Sequence, residues 1–207
     1  MVENVDLKEI EKKAWRATYQ DGLWDVYIGL LITGYALLFW LNSLGFEEPL
    51  LILFLICWST IPILILTFGK KFITPKRIGS VKFGKKRKKT KKRLTYFLTA
   101  NVFILLIFLI LTQLGLFELI PLEGLMIPLI LGLFISIPLS IVAYFLDFSR
   151  LYVYSIFFGL GYLLSELLYP LVGAPLDSFL SFGVPGIMIT LIGIYFLISF
   201  LKKYPKE

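Results

Sequence analysis

Glu166 is the residue best placed to do chemistry in this sequence, because it is an acidic residue deep inside a long apolar run. At 1.5 Å per residue it lies about 22 Å along that run. Ser155, Gly159 and Tyr162 fall on the same helical face, which is therefore expected to point into a helix bundle. A carboxyl group there must be protonated or partnered, and is a functional candidate. The alternative is that Glu166 already reaches water at the outer end of the run.

Other polar side chains lie beside prolines that interrupt apolar runs. Ser59 and Thr60 precede Pro62, and Ser136 precedes Pro138. Proline removes a backbone hydrogen bond and tends to kink a helix, and such helices at matching positions of repeats are typical of transporter sites. Proline is also common in membrane helices, so ordinary helix packing is the alternative. The candidate intramembrane polar site comprises Glu166, Asn101, Ser59, Thr60, Ser136, Tyr162 and Asp25.

Asp25 is an acidic residue just inside the first apolar run. It shares one helical face with Gly29, Thr33 and Ala36, and small residues on one face predict close contact with another helix. A structural ion pair is the favoured role for Asp25, and catalysis is the alternative. Asn101 is predicted to hydrogen-bond between helices.

The sequence contains no strong enzyme motif. Histidine, the commonest general base and metal ligand, is absent, and Cys57 is the single cysteine. There is also no glycine-rich phosphate loop, zinc-type spacing or serine-hydrolase motif. We therefore predict no metal site and no cofactor, and an enzyme is disfavoured.

Residues 70–93 hold 13 of the 21 basic residues and no acidic residue. Their expected role is to fix the topology and to attract anionic lipid headgroups. Binding of an acidic cytoplasmic protein is the alternative, and nucleic acid is disfavoured because aromatic residues are not interleaved. The predicted binding residues are Lys85, Lys86, Arg87, Lys88, Lys89, Lys91, Lys92 and Arg93.

Long apolar runs are the elements that must position these residues. Apolar residues make up 58% of the chain, and the mean hydropathy is +0.84, well above a soluble domain. Each run is long enough to cross about 30 Å of hydrocarbon. The prediction is an all-α, multi-pass membrane protein with six transmembrane helices in three hairpins, over residues 23–41, 50–68, 94–117, 125–146, 151–172 and 179–201.

The charged residues predict an orientation. With six spans, all 21 basic residues fall on one side, in the N-terminal arm, the basic loop, the turn at Arg150 and the C-terminal tail. The charged residues of the opposite loops are all acidic. Both termini are therefore predicted to be cytoplasmic, in the cell membrane. We predict an amphipathic helix over residues 1–22, and a transmembrane domain over residues 23–207 with a basic loop over residues 69–93.

Two segments resemble each other at an offset of 70 residues. LNSLGFEEPL at the end of the first run and LTQLGLFELIPL at the end of the third share their order of leucine, glycine, aromatic and acidic residues. This pattern predicts parallel repeats of a two-helix hairpin.

Three functions are compatible with the sequence. The leading hypothesis is a membrane protein without catalytic activity whose basic cytoplasmic face contacts anionic lipid or an acidic partner. The second is a small transporter or permease subunit with a polar site around Glu166. The third and weakest is an intramembrane enzyme that acts on lipid. An oligomer is compatible with all three.

Overall fold

A computed structural model of the chain describes residues 15, 16, 18–74, 77, 84–113 and 124–205. The regular secondary structure of these residues is entirely helical, which confirms the predicted all-α class. This part of the chain contains one long helix for each predicted run: α1 (Leu23–Ser43), α2 (Glu48–Ile73), α3 (Lys85–Gln113), α4 (Met126–Leu146), α5 (Ser149–Val172) and α6 (Leu176–Lys203).

Five helices in the described residues, α1, α2, α4, α5 and α6, are long and apolar enough to cross a membrane. The remaining long helix, α3, begins at Lys85 and so includes basic turns before its apolar part. The last four residues of the third predicted run, 114–117, lie outside the described residues. The helices are compatible with a multi-pass integral membrane protein.

The predicted basic loop is helical at both of its ends. Gly69–Ile73 continues α2 as a π-helix, and residues 85–93 are the first turns of α3. The start of α3 within the basic segment has a local cause. Lysine and arginine favour helix, and Lys85–Gln113 contains no glycine or proline. Of the predicted N-terminal helix, Trp15 and Arg16 are helical, and residues 1–14 lie outside the described residues.

The chain folds as two compact units. The first comprises Met1–Val81 and Leu160–Glu207, and the second comprises Lys82–Gly159. The first unit therefore holds α1, α2, α6 and the C-terminal part of α5. The second holds α3, α4 and the N-terminal part of α5.

In the first unit, α1 packs against both α2 and α6. Trp58 of α2 lies against Gly34, where a Cβ would be 2.1 Å from the indole ring, and its Nε1 donates a hydrogen bond of 2.8 Å to the Leu30 carbonyl. Trp15 and Ala36 are also buried in this unit. The core of the first unit is therefore built around α1.

The contact between α1 and α6 runs along glycines on both helices. A Cβ at Gly29 would be 2.5 Å from the Thr190 nitrogen, and a Cβ at Gly186 would be 2.7 Å from the Thr33 nitrogen. Further along, a Cβ at Gly193 would be 2.5 Å from a backbone nitrogen of α1. Backbone lies against backbone here, and residue numbers rise on one helix as they fall on the other. The two helices are antiparallel.

In the second unit, α4 meets the N-terminal part of α5 at small residues. A Cβ at Gly132 would be 2.3 Å from the Gly159 carbonyl oxygen. The hydroxyls of Ser140 and Ser155 are 2.8 Å apart and share a hydrogen bond. Small and hydroxyl-bearing residues allow close approach where hydrophobic association between helices is weak, as in lipid.

Much of the outer surface is apolar. On α2, Ile52, Leu53 and Ile56 are each more than half exposed, and the same holds for Phe103 and Ile107 on α3. Soluble monomers rarely expose apolar patches of this extent. These faces are compatible with contact to lipid chains.

Candidate functional site

A buried polar cluster joins the start of α1 to the end of α2. Asp21 is fully buried, and its Oδ2 accepts hydrogen bonds from Lys70 Nζ at 2.6 Å and Thr74 Oγ1 at 2.7 Å. Its Oδ1 accepts from the Leu23 backbone N–H at 3.2 Å. Lys70 Nζ also donates to the Thr18 carbonyl. The cluster ties the chain segment before α1 to the π-helical end of α2.

Asp21, one turn before Asp25, forms an ion pair of the kind predicted for Asp25. Asp25 is itself fully buried and interacts electrostatically with Lys70, but the ion pair of 2.6 Å is made by Asp21. The expected close face is present, since Gly29 and Ala36 are buried on the same side of α1. The signal available in the sequence was an acidic residue directly before a glycine, Asp21 before Gly22. In the structure, Gly22 has a positive φ of 77° and turns the chain into the helix.

Two further contacts involve the basic residues after α2. In the first unit, the Arg77 guanidinium donates to the carbonyls of Leu201 and Tyr204 at the end of α6. In the second unit, Arg87 forms an ion pair of 3.0 Å with Asp147, whose φ of 54° ends α4. Each contact joins segments that the charge pattern assigns to the same side.

The basic turns of α3 are largely open. Arg87 is half-buried against Asp147, whereas the other predicted binding residues with described side chains are exposed: Lys88, Lys89, Lys91, Lys92 and Arg93. The Lys92 ammonium lies 5.6 Å from the ring centroid of Tyr96, the next aromatic residue along α3. Lys85 and Lys86 belong to the helix by their backbone.

Glu166 lies on the exposed side of α5. The three residues predicted to share a helical face with Glu166 are less exposed: Ser155 and Gly159 are buried, and Tyr162 is half-buried. The inward polar residue at this level is the preceding Ser165.

The remaining polar candidates make mostly local contacts. The hydroxyls of Ser59 and Thr60 donate to the Ile56 carbonyl in their own helix. Ser136 packs on Gly159, whose Cβ position would be 2.8 Å from the serine Cβ, and Asn101 is half-buried. Ser136 and Asn101 belong to the second unit, and the others to the first.

Tyr162 takes part in a polar and aromatic contact. Its hydroxyl is 3.0 Å from the Tyr35 hydroxyl, and the ring of Phe182 packs edge-on against both tyrosines at centroid distances of 5.1 Å. The three side chains connect α1, α5 and α6 within the first unit. Two hydroxyls that bond to each other satisfy their polarity among apolar neighbours.

Sequence reasoning missed a buried acidic residue at the start of α6. Asp177 is 6% exposed, and its Oδ2 accepts hydrogen bonds from Ser165 at 2.6 Å and Ser178 at 3.1 Å. The charge pattern assigned Asp177 to an exposed outer loop. The available signal was the row of serines at positions 178 and 181 that follows it in helical spacing.

Among the described residues, no group of three histidine, cysteine, aspartate or glutamate side chains could hold a metal ion. Comparison with models of protein families, with curated protein sequences and with solved structures finds no match to the chain.

Proposed function

We propose that this chain is an integral membrane protein of the cell membrane, with both termini cytoplasmic, whose basic helix start binds anionic lipid headgroups. The single observation that carries the proposal is the continuity of α3. Its exposed basic residues and its apolar part belong to one helix, Lys85–Gln113.

Helical geometry puts the basic residues at the level of the headgroups. Arg93 directly precedes the apolar part, and Lys88 lies about 7.5 Å further out along the axis. The headgroup layer on each side of a bilayer is about 5–8 Å thick. If the apolar part of α3 crosses the hydrocarbon, its basic turns lie in and just above that layer.

The exposed charges also form one surface. At 100° per residue, Lys88, Lys89, Lys91, Lys92 and Arg93 cover an arc of about 200°, centred about 140° away from Arg87. Arg87 faces Asp147, so the arc faces away from α4. The start of a helix carries a partial positive charge. Basic residues in the first turns are repelled by this charge, and a bound anion reduces the repulsion. Anionic headgroups supply that counter-charge.

The lipid proposal is tested by a pair of variants of the full-length protein in neutral detergent. Lys88→Gln with Lys89→Gln removes two exposed charges, and Lys88→Arg with Lys89→Arg keeps them. At about 1 kcal/mol per basic residue, the glutamine variant should bind phosphatidylglycerol roughly thirtyfold more weakly, measured by lipid titration. The arginine variant should bind as the wild type does.

Binding should also weaken as salt is added, since exposed charges are screened beyond about 10 Å at 0.1 M salt. Phosphatidylcholine is the lipid control and should bind equally to all three proteins. Equal affinity of the glutamine variant for phosphatidylglycerol would contradict the proposal and would leave an acidic protein as the partner to seek.

The transporter alternative depended on a polar site around Glu166, which is exposed on α5. Of the residues grouped with it, Ser59 and Thr60 bond to their own helix. No observation on the described residues favours the lipid-modifying enzyme. Lipid binding is therefore the leading proposal, and the transporter stays the alternative.

A further inference from the structure

The buried carboxyl group of Asp177 is only half satisfied. Its Oδ2 accepts two serine hydroxyls, but its Oδ1 is buried and has no hydrogen-bond partner among the described residues. Ser181, one helical turn after Asp177, is 2% exposed, and its Oγ likewise lacks a partner there. Buried polar atoms are nearly always bonded, so each exception calls for an explanation.

The charge of this group is also unbalanced. In the described part of the chain, Asp177 forms no ion pair, whereas Asp21 and Asp147 do. Burying a carboxylate without a counter-charge costs so much free energy that the group either takes up a proton or binds a cation.

The backbone around the carboxyl group is irregular. Phe179–Gly183, which contains Ser181, is a π-helix set between the α-helical start of α6 and the rest of that helix. π-Helical turns are rare and are frequent at functional sites. Asp177, Ser178 and Ser181 lie within one turn at the start of α6, and the Ser165 hydroxyl of α5 is bonded to Asp177 and to Ser178.

We propose that Asp177, Ser165, Ser178 and Ser181 bind a monovalent metal cation. Carboxylate and hydroxyl oxygens are the ligands that hard cations prefer. One carboxylate balances one positive charge, whereas a divalent ion would leave a net charge buried. The cation contacts Asp177 Oδ1 and Ser181 Oγ, and thereby supplies the partners that both atoms lack.

The test is thermal unfolding of the full-length protein in neutral detergent, at a pH well above the usual range of a carboxyl group. Choline chloride is replaced by NaCl or by KCl at constant ionic strength. A ligand that binds only the folded state raises the melting temperature with its concentration. At least one of the two metal salts should therefore raise it above the value in choline.

Two variants and one matched control locate the effect. Asp177→Asn should abolish the cation-dependent rise. Ser181→Ala, which removes a hydroxyl without a protein partner, should leave the melting temperature in choline unchanged or higher while weakening the apparent cation affinity roughly tenfold. Glu166→Gln, an acidic residue adjacent to Ser165 but exposed, should keep the full response.

The proposal is overturned if the melting temperature is the same in all three salts. It is also overturned if Ser181→Ala keeps the affinity of the wild type. Should Asp177→Asn fail to fold, the serine variant decides.

Discussion

Lys70 and Glu166 differ in exposure from the segments around them: Lys70 is half-buried in a basic segment, and Glu166 is exposed in an apolar run. Lys70 belongs to a strongly basic segment and was expected in water, yet its ammonium is half-buried against the fully buried Asp21. Glu166 lies within an apolar run, for which the sequence leaves open an interior site or the outer end of the run, and its side chain is exposed. In both cases the adjacent residue has a different environment, since Lys71 is exposed and Ser165 is half-buried. Which residue of a turn packs against a neighbouring helix decides the outcome, and the sequence alone does not specify that neighbour.

At this scale we predict that Lys70→Met destabilises the protein. Removing the lysine leaves Asp21 buried without its counter-charge, which costs about 3 kcal/mol for a buried pair. The measurement is the free energy of unfolding in mixed detergent micelles. Lys71→Met is the matched control, because Lys71 is adjacent and exposed.

Combining Lys70→Met with Asp21→Asn should recover part of the loss, since the uncompensated charge is then gone. Equal destabilisation by Lys70→Met and Lys71→Met would show that the ion pair does not stabilise the fold.

The α1 and α6 helices present the same small-residue pattern to each other. On α1, the Thr33 hydroxyl donates to the Gly29 carbonyl at 2.8 Å, and on α6 the Thr190 hydroxyl donates to the Gly186 carbonyl at 2.8 Å. Each threonine lies over the glycine of the other helix. The local arrangement therefore has approximate two-fold symmetry. The sequence predicted the face on α1, but not which helix covers it, because five other helices could have supplied the partner surface.

We predict that Gly186→Ala lowers the melting temperature, although alanine is the better helix former by about 1 kcal/mol. The new methyl group would be 2.7 Å from the Thr33 backbone nitrogen, so the two helices must move apart. Overpacking of this kind costs about 1–3 kcal/mol. Ser199→Ala, on an exposed position of α6, is the control and should change little. An unchanged or raised melting temperature for Gly186→Ala would mean that the helices are not closely packed.

Across the chain, three basic residues contact helix ends that the charge pattern predicts to be cytoplasmic. Lys70 reaches the segment before α1, Arg77 reaches the end of α6, and Arg87 reaches the turn after α4. All of these ends were assigned to the cytoplasmic side from their basic residues alone. The parallel two-helix repeat stays a prediction.

The predicted orientation can be measured by labelling with a thiol reagent that does not cross membranes. In a Cys57→Ser background, which removes the single native cysteine, Ser43→Cys should be labelled on intact cells. Lys89→Cys should be labelled only after the membrane is opened, because basic segments remain on the cytoplasmic side. The background protein alone should take up no label. Labelling of both positions from one side would contradict the predicted topology.

The sequence by itself determined the helical class and the places of the long helices. Each of these follows from residue type summed over many positions, so errors at single residues average out. Only the tertiary structure decided that Asp21 binds Lys70, that α6 covers the glycine face of α1, and that Asp177 is buried among serines. These contacts join residues far apart in the chain or depend on the helical phase of one side chain, and apolar runs of similar composition carry no mark of which neighbour they will pack against.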